Sequence, residues 1–298
     1  MAALPERPLS GDSMALNRRY LDHLVVEGRI VGAVHPTAKT ELFGRAFETP
    51  IMTAALSHLK AGMAAFARGA KAAGAACCIG MGSTEELESV LQTGAGIIKI
   101  IKPYADPEEI FSRLACAEKF GALAVGMDVE HAVNVRDDGD SVVLGQQMKL
   151  PTLEELKSYV RFTRLPFLIK GALSVHDALA CRDLGCRGVI LSHHNGLMRW
   201  AAPPAMLLPE IRKAVGRELT LIADGGIADG FDAFKALALG ADAVSVGRPL
   251  MAPLEEAGAD GVAAVLSAMT GELKAMMVRT GAASLAQIDS GVIHPIGW

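Results

Sequence analysis

The sequence predicts a single (β/α)8 TIM barrel, of α/β class, with an N-terminal arm. Three observations carry that reading. Eight short apolar runs of strand length recur along the chain, and helical patterns follow most of them. The runs are apolar nearly throughout, the pattern of parallel strands covered on both faces. Glycines cluster after the seventh and eighth runs. An open doubly wound sheet would carry its glycine fingerprint after the first strand, so eight units closing into a barrel is the better account.

The elements follow in order. Residues 1–47 stand outside the repeat, and 20–47 reads as an arm that plugs the bottom of the barrel. Residues 48–298 form the barrel with a C-terminal helix and tail. The strands are expected at 50–56, 76–81, 96–101, 122–128, 166–170, 188–192, 219–224 and 243–246. Ser83 with Glu86 and Thr152 with Glu155 fit the capping box that opens a helix. Asp106 before Pro107 pairs an N-cap residue with a proline suited to the first helical position. Gly74, Gly94, Gly121, Gly185 and Gly240 stop helices just before the next strand. The last helix is expected from an N-cap at Asp260 to about Thr280, with Gly271 as a break.

Composition narrows the function classes. The 298 residues carry 29 basic and 33 acidic side chains, a net charge of −4, which argues against nucleic acid or an anionic membrane surface as partner. No charge-free run exceeds the thirteen residues from Ala72 to Thr84, against about 20 apolar residues in a spanning helix. The N-terminus has no apolar signal core, and five cysteines without metal spacing read as reduced thiols. The expectation is a cytoplasmic homo-oligomer acting on a small molecule.

In a barrel the functional groups come from the C-terminal strand ends and the loops after them. Those ends carry Thr53, Ala54, Ser83, Lys99, Asp128, Lys170, Ser192-His193-His194, Asp224-Gly225-Gly226 and Gly247-Arg248. The last two groups fit a phosphate site: glycines let backbone N–H groups approach an anion, and Arg248 adds a fixed charge. The bland alternative is tight turns and a surface ion pair. Lys170 ends an apolar strand and needs an anionic partner. It could stabilise an electron-rich cofactor, form a Schiff base, or simply pair with Asp128 or Asp224. His194 could act as a neutral base, with Asp128 holding its tautomer. Adjacent His193 and His194 on an extended segment point to opposite sides, so no metal is expected. His58 and His131 are weaker candidates for the mouth, and 137–140 reads as a solvated turn.

The segments LIKGALSVHDAL, GVILSHHNG, LPEIRKAV, IADGGI and FKALALGADAVSVGRP resemble the FMN-dependent α-hydroxy-acid oxidase and dehydrogenase family. The resemblance runs from about Thr49 to Ile288 and is strongest from Phe167 to Pro249. It implies an FMN barrel oxidising a 2-hydroxy acid or related hydroxy compound. Thr53, Ala54 and Ala55 would lie beside the isoalloxazine, with Ser83, Lys99 and Ser192 also at the cofactor. Lys170 would face the flavin and stabilise its reduced form. Asp224 would bind the ribityl chain, while Gly225, Gly226, Gly247 and Arg248 would hold the phosphate. His194 would be the base and Asp128 its partner.

Departures fall on the substrate side. The family's SNHGGR is Ser192-His-His-Asn-Gly-Leu197 here, so the arginine for the substrate carboxylate becomes Leu197, with Arg199 two positions on. The family's FQLY is matched to Ile98-Lys99-Ile100-Ile101, which puts Lys99 at the glutamine and Ile101 at the substrate tyrosine. The arginine of DGGIR becomes Ala228, and Arg136 is the stand-in for a second active-site arginine. Reoxidation would use oxygen, a quinone or another protein. An FMN-barrel isomerase without net redox, a catalytically silent flavin binder and a non-flavin phosphosugar barrel are the competing readings.

Overall fold

The computed structural model describes residues 11–133, 141–194 and 196–297. Eight parallel strands form one sheet: β1 (Ile51–Thr53), β2 (Cys77–Ile79), β3 (Ile97–Ile101), β4 (Ala124–Asp128), β5 (Phe167–Lys170), β6 (Gly188–Leu191), β7 (Thr220–Asp224) and β8 (Ala243–Val246). Their order is β1-β8-β7-β6-β5-β4-β3-β2. The seam between β1 and β2 is spanned by a bridge between Leu56 and Ile79 and by Thr53. Thr53 Oγ1 accepts from the Cys78 N–H at 2.9 Å and donates to the Cys78 carbonyl at 3.1 Å. A hydroxyl thus supplies pairing that the backbone leaves open, and the sheet closes as a barrel.

Each strand is followed by a helix: α1 (Met63–Ala72), α2 (Thr84–Leu91), α3 (Pro107–Lys119), α4 (Leu153–Phe162), α5 (Val175–Asp183), α6 (Pro204–Val215), α7 (Gly230–Ala238) and α8 (Arg248–Arg279). The three expected caps are present, though only one of the two expected capping boxes is complete. Ser83 Oγ accepts from the Glu86 N–H, Asp106 caps α3 ahead of Pro107, and Thr152 with Glu155 forms a complete capping box. The five stop glycines all have φ between 67° and 116°, a region closed to most side chains.

Alternate residues of each strand enter two cores. The lumen holds Met52, Cys78, Ile98, Ile100, Ala124, Leu168, Ile190, Ile222 and Ala243. Their neighbours, among them Ile97, Ile101, Val125, Ile169, Val189 and Val244, face the helices. From the arm, the hairpin Thr40–Leu42 with Arg45–Phe47 sends Leu42 and Phe47 into the lumen cluster, where Phe47 closes on Gly96 just before β3. The arm helix Ser13–Asp22 lies at the other end, against Gly225 and Gly226 after β7. The arm therefore reaches both ends of the barrel, and only its hairpin meets the expectation of a bottom plug.

Two further expectations are corrected at the C-terminus. A helix begins already at Arg248, directly after β8; it breaks at Gly258 (φ 60°), beside the expected start at Asp260, and the helix after the break runs to Arg279 with Gly271 inside it rather than as a break. Gly258 takes a positive φ that helical residues do not adopt, so Arg248–Arg279 consists of two helices that meet at a kink. Arg248–Arg279 is long and apolar enough to cross a membrane by length and composition. In the barrel, Leu250, Leu254, Val262, Leu266, Met269, Leu273 and Met277 of this helix are buried.

Candidate active site

The two-residue period of the strands decides which polar groups meet. Leu168, Ile190, Ile222 and Ala243 point into the lumen. Lys170, Ser192, Asp224 and Ser245, two residues further on, therefore rise on the same face at the C-terminal mouth. Asp128 does so four residues after Ala124. A cavity of about 520 Å³ opens there, of the size that holds a small molecule. Ala54, Ala55, Lys170, His194, Leu197, Asp224, Gly225, Gly226, Gly247 and Arg248 line it, together with Leu56, Ile227, Ser245 and Met251.

Asp128 is the electrostatic centre of one side. Its Oδ2 lies 2.8 Å from His194 Nδ1, 2.9 Å from Lys102 Nζ and 3.4 Å from Lys170 Nζ. His131 Nδ1 is 3.3 Å from the same oxygen. Burial alone would push the Asp128 carboxyl up, but Lys170, then His131, His194 and Lys102, hold it well below the usual range. His194 is driven down to about 4, mainly by burial, so its ring is neutral near pH 7. Lys170 Nζ also lies 2.9 Å from His194 Nδ1. Two donors cannot share one bond, and Nδ1–H pointing to the carboxylate leaves Nε2 with the free lone pair. His194 sits at φ 44°, a left-handed backbone that histidine seldom adopts, and its N–H donates to Ser192 Oγ at 3.1 Å.

His193 is placed differently. It is buried, and its Nδ1 accepts from the Gly196 N–H at 2.9 Å, so it shapes the loop after β6. Asp128, His131 and His194 bring three side-chain atoms within 4.8 Å of one another. The sequence offered no such cluster. Lys102 and Lys170 already meet the negative charge of that carboxylate, and we assign no metal there.

The other side of the cavity is built around the turn after β7. Gly225 and Gly226 have φ of 106° and 80°, accessible to glycine at no steric cost. Asp224 accepts from Ser192 Oγ and Ser245 Oγ, both at 2.7 Å, which fixes its carboxylate at the cavity wall. Arg18 of the arm helix donates to the Gly226 carbonyl at 3.1 Å and binds Asp232 with two nitrogens, at 2.6 and 2.8 Å. Asp232 also accepts from the Ala228 N–H at 3.0 Å. The turn is thus clamped from behind, at the position where the family arginine is Ala228. Among the described residues Arg248 has no carboxylate partner; its guanidinium lies 3.8 Å from Met14 Sδ.

Several sequence expectations need correction. Thr53 is fully buried, and its hydroxyl is spent on the β1–β2 seam rather than offered to the cavity. Ser83 serves as the cap of α2, and Ser192 is buried behind Asp224. Lys99 faces the helix side of β3: it is buried, donates to the Gly80 carbonyl, and is pushed down to about 8 by burial and Arg113. Ile101 packs in the same helix-side core. The family's glutamine and tyrosine are two residues apart and share a face, so the inward pair is Ile100 and Lys102. The register at β3 was off by one. Arg199 is exposed and does not line the cavity, whereas Leu197 does. Arg136 and the turn at 137–140 lie outside the described residues.

Sequence reasoning missed Lys102, Glu130, Ser245 and Asn17, and left His131 weak. For Lys102 and Ser245 the signal was inward parity, which strands that are apolar on both faces do not display. Asn17 is buried, and neither its Oδ1 nor its Nδ2 has a partner among the described residues. It packs on Gly225 and Gly226, where Cβ atoms would come within 2.9 Å of it. Buried polar atoms without partners are costly, and they mark this end as built for a polar ligand. The glycine turn, an Arg248 without a carboxylate partner among the described residues, and these atoms fit the phosphate end of a flavin nucleotide, and Lys170 at the opposite wall fits an electron-rich ring.

Comparison with known proteins agrees with that geometry. The model of the FMN-dependent dehydrogenase family matches residues 9–149 and 135–295. Glycolate oxidase 1 of Zea mays is 31% identical over 312 residues, covering 91% of this chain and 85% of that protein. An L-lactate oxidase of Alicycliphilus denitrificans is 43% identical over 152 residues, 51% of this chain but only 42% of that protein. The solved mandelate oxidase with (S)-2-phenylpropionate superposes with a TM-score of 0.87 at 29% identity, over 97% of this chain and 90% of that one. With the barrel, the glycine–arginine end and the His194–Asp128–Lys170 cluster all in place, the chain belongs to the FMN-dependent dehydrogenase family.

Proposed function

We propose that this protein is an FMN-dependent oxidoreductase that oxidises the CH–OH group of a 2-hydroxy acid, or a related hydroxy compound, to the oxo product. The observation that carries the reading is the cluster His194–Asp128–Lys170 on the wall of the cavity that also holds Gly225, Gly226, Gly247 and Arg248. When bound, FMN supplies the two-electron acceptor. Gly225, Gly226, Gly247 and Arg248 would hold its phosphate, Asp224 its ribityl hydroxyls, and Lys170 would face the ring.

His194 Nε2 takes a proton from the substrate, either from the hydroxyl or from the α-carbon. Asp128 holds the ring by Nδ1 and stabilises the imidazolium that forms. Lys170 offers a positive charge where electron density accumulates. Leu56, Leu197, Ile227 and Met251 make the remaining wall largely apolar. The relatives named as L-lactate, 2-hydroxyacid and glycolate oxidases favour this reading over the isomerase, the silent binder and the phosphosugar barrel. Five free cysteines, four of them buried, support a reducing compartment, and a homo-oligomer in the cytoplasm remains our expectation.

The test is the visible spectrum of the purified protein, followed by anaerobic titration with a panel of 2-hydroxy acids and their amides. Flavin bands that bleach with one of these compounds support the proposal. A protein without flavin, or one whose flavin no hydroxy compound reduces, overturns it.

A further inference from the structure

A base pair needs one contact from its carboxylate, yet Asp128 Oδ2 has four neighbours: His194, Lys102, His131 and Lys170. Asp128 Oδ1 has no partner among the described residues. Two of the four neighbours have work in the proposed reaction. Lys102 and His131 have none. Lys102 is almost completely buried just beyond β3, and its ammonium reaches Asp128 at 2.9 Å. The carboxylate it meets already has a second ammonium beside it. Burying two ammonium groups against one carboxylate is costly, which asks for a reason beyond a stabilising ion pair.

We propose that Lys102 is a positioning residue for the His194–Asp128 pair: it pins Oδ2 toward the His194 ring and draws the carboxylate's charge away from it. The inference rests on the reading of His194 as the base.

The electrostatics follow from a count of charges. A lone carboxylate beside an imidazole favours imidazolium and raises the proton affinity of the ring. Here one carboxylate is shared by two ammonium groups, leaving the surroundings of the ring positive. His194 is faced by Asp128 from β4, His131 from the turn after β4 and Lys170 from β5, and it feels the charge of Lys102 from the end of β3; Glu130, from the same turn as His131, acts on Asp128, Lys170 and Lys102. The rings of His131 and His194 meet edge to face with centroids 3.8 Å apart, so two imidazolium ions there would repel. Asp224 is held on the far wall by its two serines. Burial lifts Glu130 to about 7, so it restores only part of a negative charge near neutrality. The result is a base that stays unprotonated well below neutral pH. Its proton affinity rises when an anionic substrate, or a reduced and negatively charged ring, lies beside it.

The experiment follows the His194 ring by NMR titration of the histidine-labelled holoprotein, with His194→Gln and His131→Gln used to assign the signals. Wild-type His194 should titrate below about pH 5, against an ordinary histidine value near 6.5. Lys102→Met should move its midpoint up by about one unit or more, and Lys102→Arg, which keeps the charge, should restore most of the shift. If Lys102→Met fails to fold, Lys102→Gln and the wild-type midpoint still decide. A wild-type midpoint at or above 6.5 overturns the proposal. So does a folded Met or Gln variant whose His194 midpoint stays within about 0.3 units of wild type, since Lys102 then serves only stability. The titration needs no substrate, so a flavin that no hydroxy compound bleaches would sink the oxidoreductase reading alone.

Discussion

His194 Nδ1 stands 2.8 Å from Asp128 Oδ2, across the two strands β4 and β6 that flank β5. The pair joins an imidazole held neutral by burial to a carboxylate held ionised by its cationic neighbours. That contrast lets one group accept a proton while the other keeps its charge.

Replacing His194 by Gln keeps much of the volume and removes the base. Flavin reduction by substrate should slow by about 10²–10⁴-fold while FMN stays bound. Asp128→Asn should slow it too, and the double variant should lose less than the product of the two, because the pair acts as a unit. His193→Gln is the control: its ring bonds to the Gly196 N–H, so its effect should be milder. Rapid-mixing kinetics on the three variants reads this directly. If His193→Gln is the crippled one, the assignment at the end of β6 is wrong.

Arg248→Ala should yield a folded protein that loses FMN. The guanidinium is exposed and, among the described residues, bonds to no side chain but the Met14 thioether, so the fold does not depend on it. Losing a phosphate partner costs about 2–5 kcal/mol, or tens to thousands in affinity. Fluorescence of released FMN after dialysis measures the loss. Retention of stoichiometric FMN with an unchanged melting temperature would remove Arg248 from the phosphate site.

Lys170→Met should lower the reduction potential of the bound flavin, because the reduced ring loses a nearby cation. Dye equilibration would show the shift. The variant also strips one ammonium from Asp128, 3.4 Å away, but Lys102 remains, so the carboxylate should stay ionised. An unchanged potential would leave Lys170 with a structural role alone.

Glu130 predicts a pH dependence of stability. Burial raises its carboxyl to about 7 from an unfolded value of 4.5, and its Oε2 has no partner among the described residues. The folded state therefore binds this proton more tightly than the unfolded chain. Stability should fall as pH rises from about 4.5 to 7, and the cost should be complete above that, at up to roughly 3 kcal/mol. Glu130→Gln should flatten this part of the profile and raise stability at pH 8. Denaturant melts of both proteins at pH 5, 6, 7 and 8 test it, and parallel profiles would count against a buried, uncharged Glu130.

Apolar run length, capping residues and helix-stopping glycines are local properties, so the sequence by itself determined the eight strands and the helices after most of them. It also determined the chemistry at strand ends such as Lys170, Asp128 and Asp224, because a polar residue closing a buried run has to face somewhere it can be solvated or paired. Parity was beyond it at β3, where Ile97, Ile98, Ile100 and Ile101 are all apolar and nothing marks which side of Lys99 is the lumen. A one-residue shift turns every side chain of a strand to the opposite face. Only the packed barrel sent Lys99 to the helices and Lys102 to Asp128. Thr53 was likewise indistinguishable from a cavity residue until β1 met β2 and its hydroxyl closed the seam. The arm helix carries no local sign of its target; contact with Gly225 and Gly226 places Asn17 and Arg18 at the glycine turn after β7. Such contacts join residues from different strands or, for the arm, residues 208 positions apart, and they exist only once tertiary packing has brought the strand ends into one mouth.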